Sequence, residues 1–213
     1  HHNDAANPND DVTYPYGRSP HARHPEVRGI DDASCYLVGG VLRTDIHPGP
    51  NDNFIFGGDG GSVVHPGGKS NLIRTGHGDD VIHAAEEYTF VNAGYGNNVI
   101  HCRGEVWIYG FDAAAGDRLG FYGAFDSPAA VRAAASAQKS PYGPDDLVIA
   151  LPDGGRVTLI DRAHQLDLLP RMLADFPPAP AGPPAAAPSS GPPVRQGGIL
   201  ARLRAALGRF RDG

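Results

Sequence analysis

Residues 48–101 read, in consecutive nines, PGPNDNFIF, GGDGGSVVH, PGGKSNLIR, TGHGDDVIH, AAEEYTFVN and AGYGNNVIH. The eighth position is aliphatic in every unit: Ile55, Val64, Ile73, Ile82, Val91 and Ile100. Glycine gathers at the first, second and fourth positions, as in Gly57, Gly58, Gly60, Gly76, Gly78, Gly94 and Gly96. A glycine-rich run turns the chain. Three residues then make a short strand whose middle side chain points inward, because strand side chains alternate. Two units close a coil of 18 residues, and successive coils stack as parallel strands about 4.8 Å apart. A unit that buries one aliphatic side chain cannot fold alone, so stability has to come from stacking. The predicted class is all-β: a short parallel β-roll, or β-solenoid, of three coils.

Outward from the repeat, residues 1–34 are rich in Asn, Asp, Pro and His and read as an extended lead-in. Residues 35–127 form the roll with an N-terminal cap, Cys35-Tyr36-Leu37-Val38 and Val41-Leu42, and an exit segment. Residues 128–176 supply a helix and a hairpin. The hairpin is marked by two alternating β-rich runs, 146–151 and 157–160, around Asp153-Gly154-Gly155. PPAPAGPPAAAPSSGPP, residues 177–193, is a disordered Pro/Ala linker with nothing to build a core from. Residues 194–213 form a basic amphipathic helix in which Ile199, Leu200, Leu203, Leu207 and Phe210 share a face. Reached by a flexible linker, Leu200, Leu203, Leu207 and Phe210 read as a docking element for a partner protein, a membrane surface or secretion machinery.

The net charge of −6 includes a tail of five Arg and one Asp in the last 20 residues, so the body is more acidic than the total. That balance argues against nucleic acid and suits divalent cations. No apolar run approaches a membrane span, and the polar N-terminus is not a signal-peptide core. Cys35 and Cys102 belong to no CxxC cluster; they permit one disulfide or two buried thiols. There is no HExxH, GxSxG, P-loop or strand-bound GxGxxG, and no enzyme is expected.

GGDGGSVVH and TGHGDDVIH resemble the RTX, or hemolysin-type, calcium-binding nonapeptide GGxGxDxUx. Trp107-Ile108-Tyr109-Gly110-Phe111-Asp112 followed by Gly116-Asp117-Arg118-Leu119 is similar to that family's exit turn. The resemblance covers residues 48–176. It implies calcium held in the turns by the sixth-position carboxylate and turn carbonyls, and export through a type I channel by an uncleaved C-terminal signal. The roll would then be unfolded inside the cell and folded outside, an extracellular, secreted module. Position six here reads Asn53, Ser62, Asn71, Asp80, Thr89 and Asn98, so only Asp80 keeps the carboxylate. Calcium affinity rises with charged ligands. The expected Ca2+ site therefore centres on Asp80 in the row Ser62–Asp80–Asn98, helped by Asp59 or Asp79. The row Asn53–Asn71–Thr89 lines the other edge. A roll held by Asn hydrogen bonds without calcium is the other reading, and an accessory module of a secreted enzyme is a third.

His65, His83 and His101, at position nine, should stack on one outer face. Their parallel rings do not converge on an ion, so a packed, acid-sensitive ladder is expected rather than a metal centre. The opposite face carries Phe54, Phe56, Leu72 and Phe90. The segment 128–137 or the hairpin is expected to cover it.

Overall fold

A computed structural model describes residues 26–29, 34–65, 67–141 and 143–174. The chain divides into a unit of residues 1–179 and one of 180–213, and every described residue belongs to the first. The expected lead-in before residue 26, the linker 177–193 and the helix with Leu200, Leu203, Leu207 and Phe210 lie outside the described residues.

The body is a β-solenoid of about five turns. One parallel sheet is built from β1 (Glu26–Arg28), β3 (Thr44–His47), β5 (Ser62–Val64), β7 (Val81–His83), β9 (Val99–His101) and β11 (Arg118–Gly120). The intervening strands β2 (Cys35–Val38), β4 (Asn53–Phe56), β6 (Ser70–Arg74), β8 (Tyr88–Asn92) and β10 (Glu105–Tyr109) build the other. Chain order thus alternates between sheets; the stacked pairs from β2 to β9 are in register at the 18-residue coil repeat, whereas β1 with β3 and β9 with β11 are offset by 19 and β8 with β10 by 17.

The aliphatic position makes two buried columns. Val27, Ile46, Val64, Ile82, Ile100 and Leu119 align in one sheet. Leu37, Ile55, Ile73, Val91, Ile108 and Leu159 align in the other. Each such side chain contributes roughly 1.5–3 kcal/mol by leaving water, but only against the columns above and below it.

Two expectations are corrected at the start of the roll. Residues 35–47 do not form a cap; they are coil. Gly39-Gly40-Val41-Leu42-Arg43-Thr44-Asp45-Ile46-His47 is itself a nine-residue unit in frame, with Ile46 in the core. Cys35 and Leu37 occupy the sixth and eighth positions of the unit before it. The roll is therefore longer than three coils. Neither cysteine is in a disulfide, and both are buried. Cys35 lies in the first coil and Cys102 after β9, several rungs of about 4.8 Å apart, beyond the ~7 Å Cα limit of a disulfide.

The covering of the Phe54 face is also corrected. The helix α1 is only Pro128–Ala133, started by Ser127, whose Oγ accepts the Ala130 amide at 3.2 Å, with Pro128 in the first turn. The next residues form β12 (Ala135–Gln138), antiparallel to β13 (Asp146–Ala150), which is antiparallel to β14 (Arg156–Leu159). β14 lies parallel to β10 and extends that sheet instead of folding over it. Pairing overrides the helical tendency of the alanine run, because an unpaired β13 edge would leave backbone groups unsatisfied. α1 packs against a 3-10 helix, Ala163–Arg171, which also touches β12 and β13, so these elements close the C-terminal end of the core. Tyr36 and Phe54 stay 36% and 48% exposed.

Candidate functional site

The sixth position lies within one residue of the strand start and points inward, like the eighth. Thr44, Ser62, Asp80, Asn98 and Asp117 therefore line one inner edge, each fully or almost fully buried. Asn53, Asn71 and Thr89 line the opposite edge below Cys35 and above Val106. Both rows predicted from spacing are present as rows, in the interior rather than on the surface.

Three of these turns are closed by a carboxamide. Asn53 Nδ2 donates to the Gly49 and Asn51 carbonyls at 3.1 and 2.7 Å, and to Asn71 Oδ1 at 3.0 Å. Asn71 Nδ2 donates to the Gly67 carbonyl at 2.6 Å. Asn98 Nδ2 donates to the Ala93 carbonyl at 2.7 Å and to Asp117 Oδ1 at 3.0 Å. Each amide thus sits among its own turn's carbonyls, where a cation's positive charge would otherwise be useful. Thr89 closes its turn in the opposite sense, Oγ1 accepting the Ala85 amide at 2.9 Å.

Coil-to-coil bonds run along the acidic edge. Asp80 Oδ1 accepts the Ser62 amide at 2.6 Å, Asn98 Oδ1 the Asp80 amide at 3.1 Å, and Asp117 Oδ1 the Asn98 amide at 2.9 Å. Asp117 Oδ2 takes the Asp112 amide at 2.7 Å, so both of its oxygens are satisfied. Asp80 differs. Its Oδ2 is buried with no hydrogen-bond partner, as is Ser62 Oγ. The Thr75 hydroxyl, which could serve it, donates to the Ala93 carbonyl at 2.6 Å. Burial pushes the Asp80 carboxyl up to about 6, although the Ser62 amide and the Thr75 and Ser62 hydroxyls nearby pull it down. The Asp117 carboxyl is also raised by burial, against the amides of Asp112 and Asn98.

The other expected ligands stand elsewhere. Asp79 is exposed and its Oδ1 accepts the Asn97 amide at 2.8 Å. Asp59 is exposed and lies 2.9 Å from His77 Nδ1. Among the described residues, no group of three or more His, Cys, Asp or Glu side chains is arranged to hold a metal ion. Any cation at Asp80 would therefore depend on turn carbonyls and neutral oxygens. Asp117 escaped the sequence reading because the last turn is one residue longer, placing it 19 rather than 18 positions after Asn98.

The histidine row has four members. His47 stacks on His65 with centroids 4.0 Å apart, His65 on His83 at 6.4 Å and His83 on His101 at 4.7 Å. His47 closes the unit Gly39–His47, whose glycines stand only at the first two positions, so its repeat signal is weak. The segment after β11 covers the C-terminal end of the row: the Tyr122 hydroxyl bonds His83 Nδ1 and its ring lies against His101. Protein-family models, curated proteins and solved structures offer no match to this chain.

Proposed function

We propose that this chain is a non-catalytic β-solenoid module whose coil stack is stabilised by calcium at the Asp80 turn, serving as a structural and binding unit. One observation carries the reading: the buried Asp80 Oδ2, which accepts no hydrogen bond although the Ser62 and Thr75 hydroxyls lie nearby, occupies the position that a carboxamide satisfies in three sibling turns. Without a positive partner a buried carboxylate costs several kcal/mol, or takes up a proton. An all-oxygen surrounding of one carboxylate, a serine hydroxyl and turn carbonyls fits a hard cation, and calcium tolerates irregular geometry. Asp80 and Ser62 would hold it, and bound calcium would supply the charge that the Asn amides supply elsewhere. The resemblance to RTX repeats extends the reading to a secreted protein that completes its folding where calcium is plentiful.

Thermal unfolding of the full chain at pH 7.5, with calcium and with chelator, tests this. Calcium is expected to raise Tm. Asp80→Asn should abolish the response and fix Tm near the calcium-loaded value, because it installs the sibling amide. A wild-type Tm indifferent to calcium overturns the reading and leaves a calcium-independent solenoid.

A further inference from the structure

The turns that lead to Ser62, Asp80 and Asn98 line an open groove of about 630 Å3 on their outer side. Its lining falls into rows at the coil repeat. Phe56, Arg74 and Asn92 are in register on β4, β6 and β8. Asp59, His77 and Tyr95 form a second row across the bare backbone of Gly58, Gly76 and Gly94. A Cβ at these glycines would meet a carbonyl oxygen of the preceding coil at 1.7, 2.4 and 2.4 Å, so no side chain can fill the floor. The floor is not a sheet edge open to a peptide. The amides of Gly57, Thr75 and Ala93 donate to carbonyls of the next coil, and the Tyr95 amide donates to the Gly76 carbonyl.

The side chains do the reading instead. His77 is held by Asp59 at 2.9 Å and stacks on Tyr95 at 5.1 Å, with 11° between the planes. Tyr95 nevertheless remains 72% exposed, which leaves one face of a fixed ring open. Arg74, in the same lining, is exposed and has no side-chain partner among the described residues. Asn92 Oδ1 accepts the Gly94 amide at 3.4 Å, freeing its Nδ2 as a donor. Asp112 adds an exposed acceptor at one end. An aromatic face, planar donors and carboxylate acceptors in one groove match a ligand with ring faces and many hydroxyls. A polyphosphate would meet Asp59 and Asp112, and an apolar ligand would strand Arg74 against an unpaired contact.

We propose that this groove binds a linear saccharide, one pyranose ring stacked on Tyr95 and its neighbours hydrogen-bonded by Arg74, Asn92 and Asp59. The groove is formed by the turns that precede Ser62, Asp80 and Asn98, but the proposed contacts are Tyr95, Arg74, Asn92 and Asp59 and Asp80 does not line it, so the inference does not rest on the calcium reading. Titration calorimetry of the full chain with cellohexaose, mannohexaose and hexagalacturonate at millimolar concentration is the test. Binding of at least one is expected, weakened about tenfold or more by Tyr95→Ala and by Arg74→Ala, and unchanged by Lys69→Ala on the opposite edge. A neutral hexamer should depend most on Tyr95, and the uronate on Arg74 with marked salt sensitivity. Both residues are exposed, so an unaltered Tm for each variant certifies the fold. No binding by any of the three, or binding that survives both substitutions, overturns the proposal.

Discussion

Asn98 and Asp80 occupy equivalent positions in adjacent coils, and one atom separates their behaviour. The Asn98 amide donates to a turn carbonyl and to Asp117, while the Asp80 oxygen in its place accepts no hydrogen bond. Asn98→Asp should therefore cost about 3 kcal/mol in chelator, by removing a buried donor and adding a like charge beside Asp117. Chemical denaturation reads this, and calcium should recover part of the loss. The pH dependence of Asp80 runs the other way from most carboxylates. Its folded value, about 6, lies above the unfolded one. Cation-free stability from this group is complete below the unfolded value near 4 and is lost as pH rises through 6. The wild type in chelator should lose stability across that window relative to Asp80→Asn, as successive melts at rising pH would show. At this scale the sequence was a partial guide. Position six could be read, yet the orphaned oxygen depends on where the Thr75 hydroxyl points.

Among the elements, the histidine ladder sets an opposing acid limit. Burial, His101, His65 and Arg103 lower the His83 imidazole to about 4. Burial, then His65 and Arg28, lower His47 against the pull of Glu26 and Asp45; burial alone lowers His101. Tyr122 faces the row as a hydrogen-bond partner, and Asp45 lies 3.8 Å from His65. With the folded values of His47, His83 and His101 below the unfolded 6.5, their contribution to stability is present above that pH and is lost as pH falls toward 4. His83→Phe keeps a stacked ring without the charge and should flatten the acid limb of a Tm-against-pH curve. A limb unchanged in that variant would remove the ladder from the explanation. The strands themselves were well marked by the repeat. Residues 135–138 were not, because an alanine-rich segment takes its state from the strand it meets.

For the whole molecule, stability is close to a sum over rungs. Ile73, with rungs on both sides, should cost about 3 kcal/mol on truncation to Ala, whereas Val27, at the end of its sheet, should cost about 1 kcal/mol. Hydrogen exchange should be slowest in β6 to β9 and faster toward β1. Equal protection along the stack would mean that the roll unfolds as one block. On the C-terminal side the gradient should be shallower, since β13, β14 and the helices add rungs and cover there.

The nine-residue pattern by itself determined a parallel solenoid, its inward aliphatic columns and the pairing of sixth positions 18 apart, because each of these follows from a local period. A unit with weak glycine signals, such as 30–38, was legible only backward from its neighbour. Tertiary structure alone decided that β14 would join β10, a pairing 51 residues apart in the chain. It also decided that the hairpin would lengthen a sheet instead of covering Phe54. Both depend on which backbone edge remains unpaired once the coils have stacked, and a repeat carries no record of that.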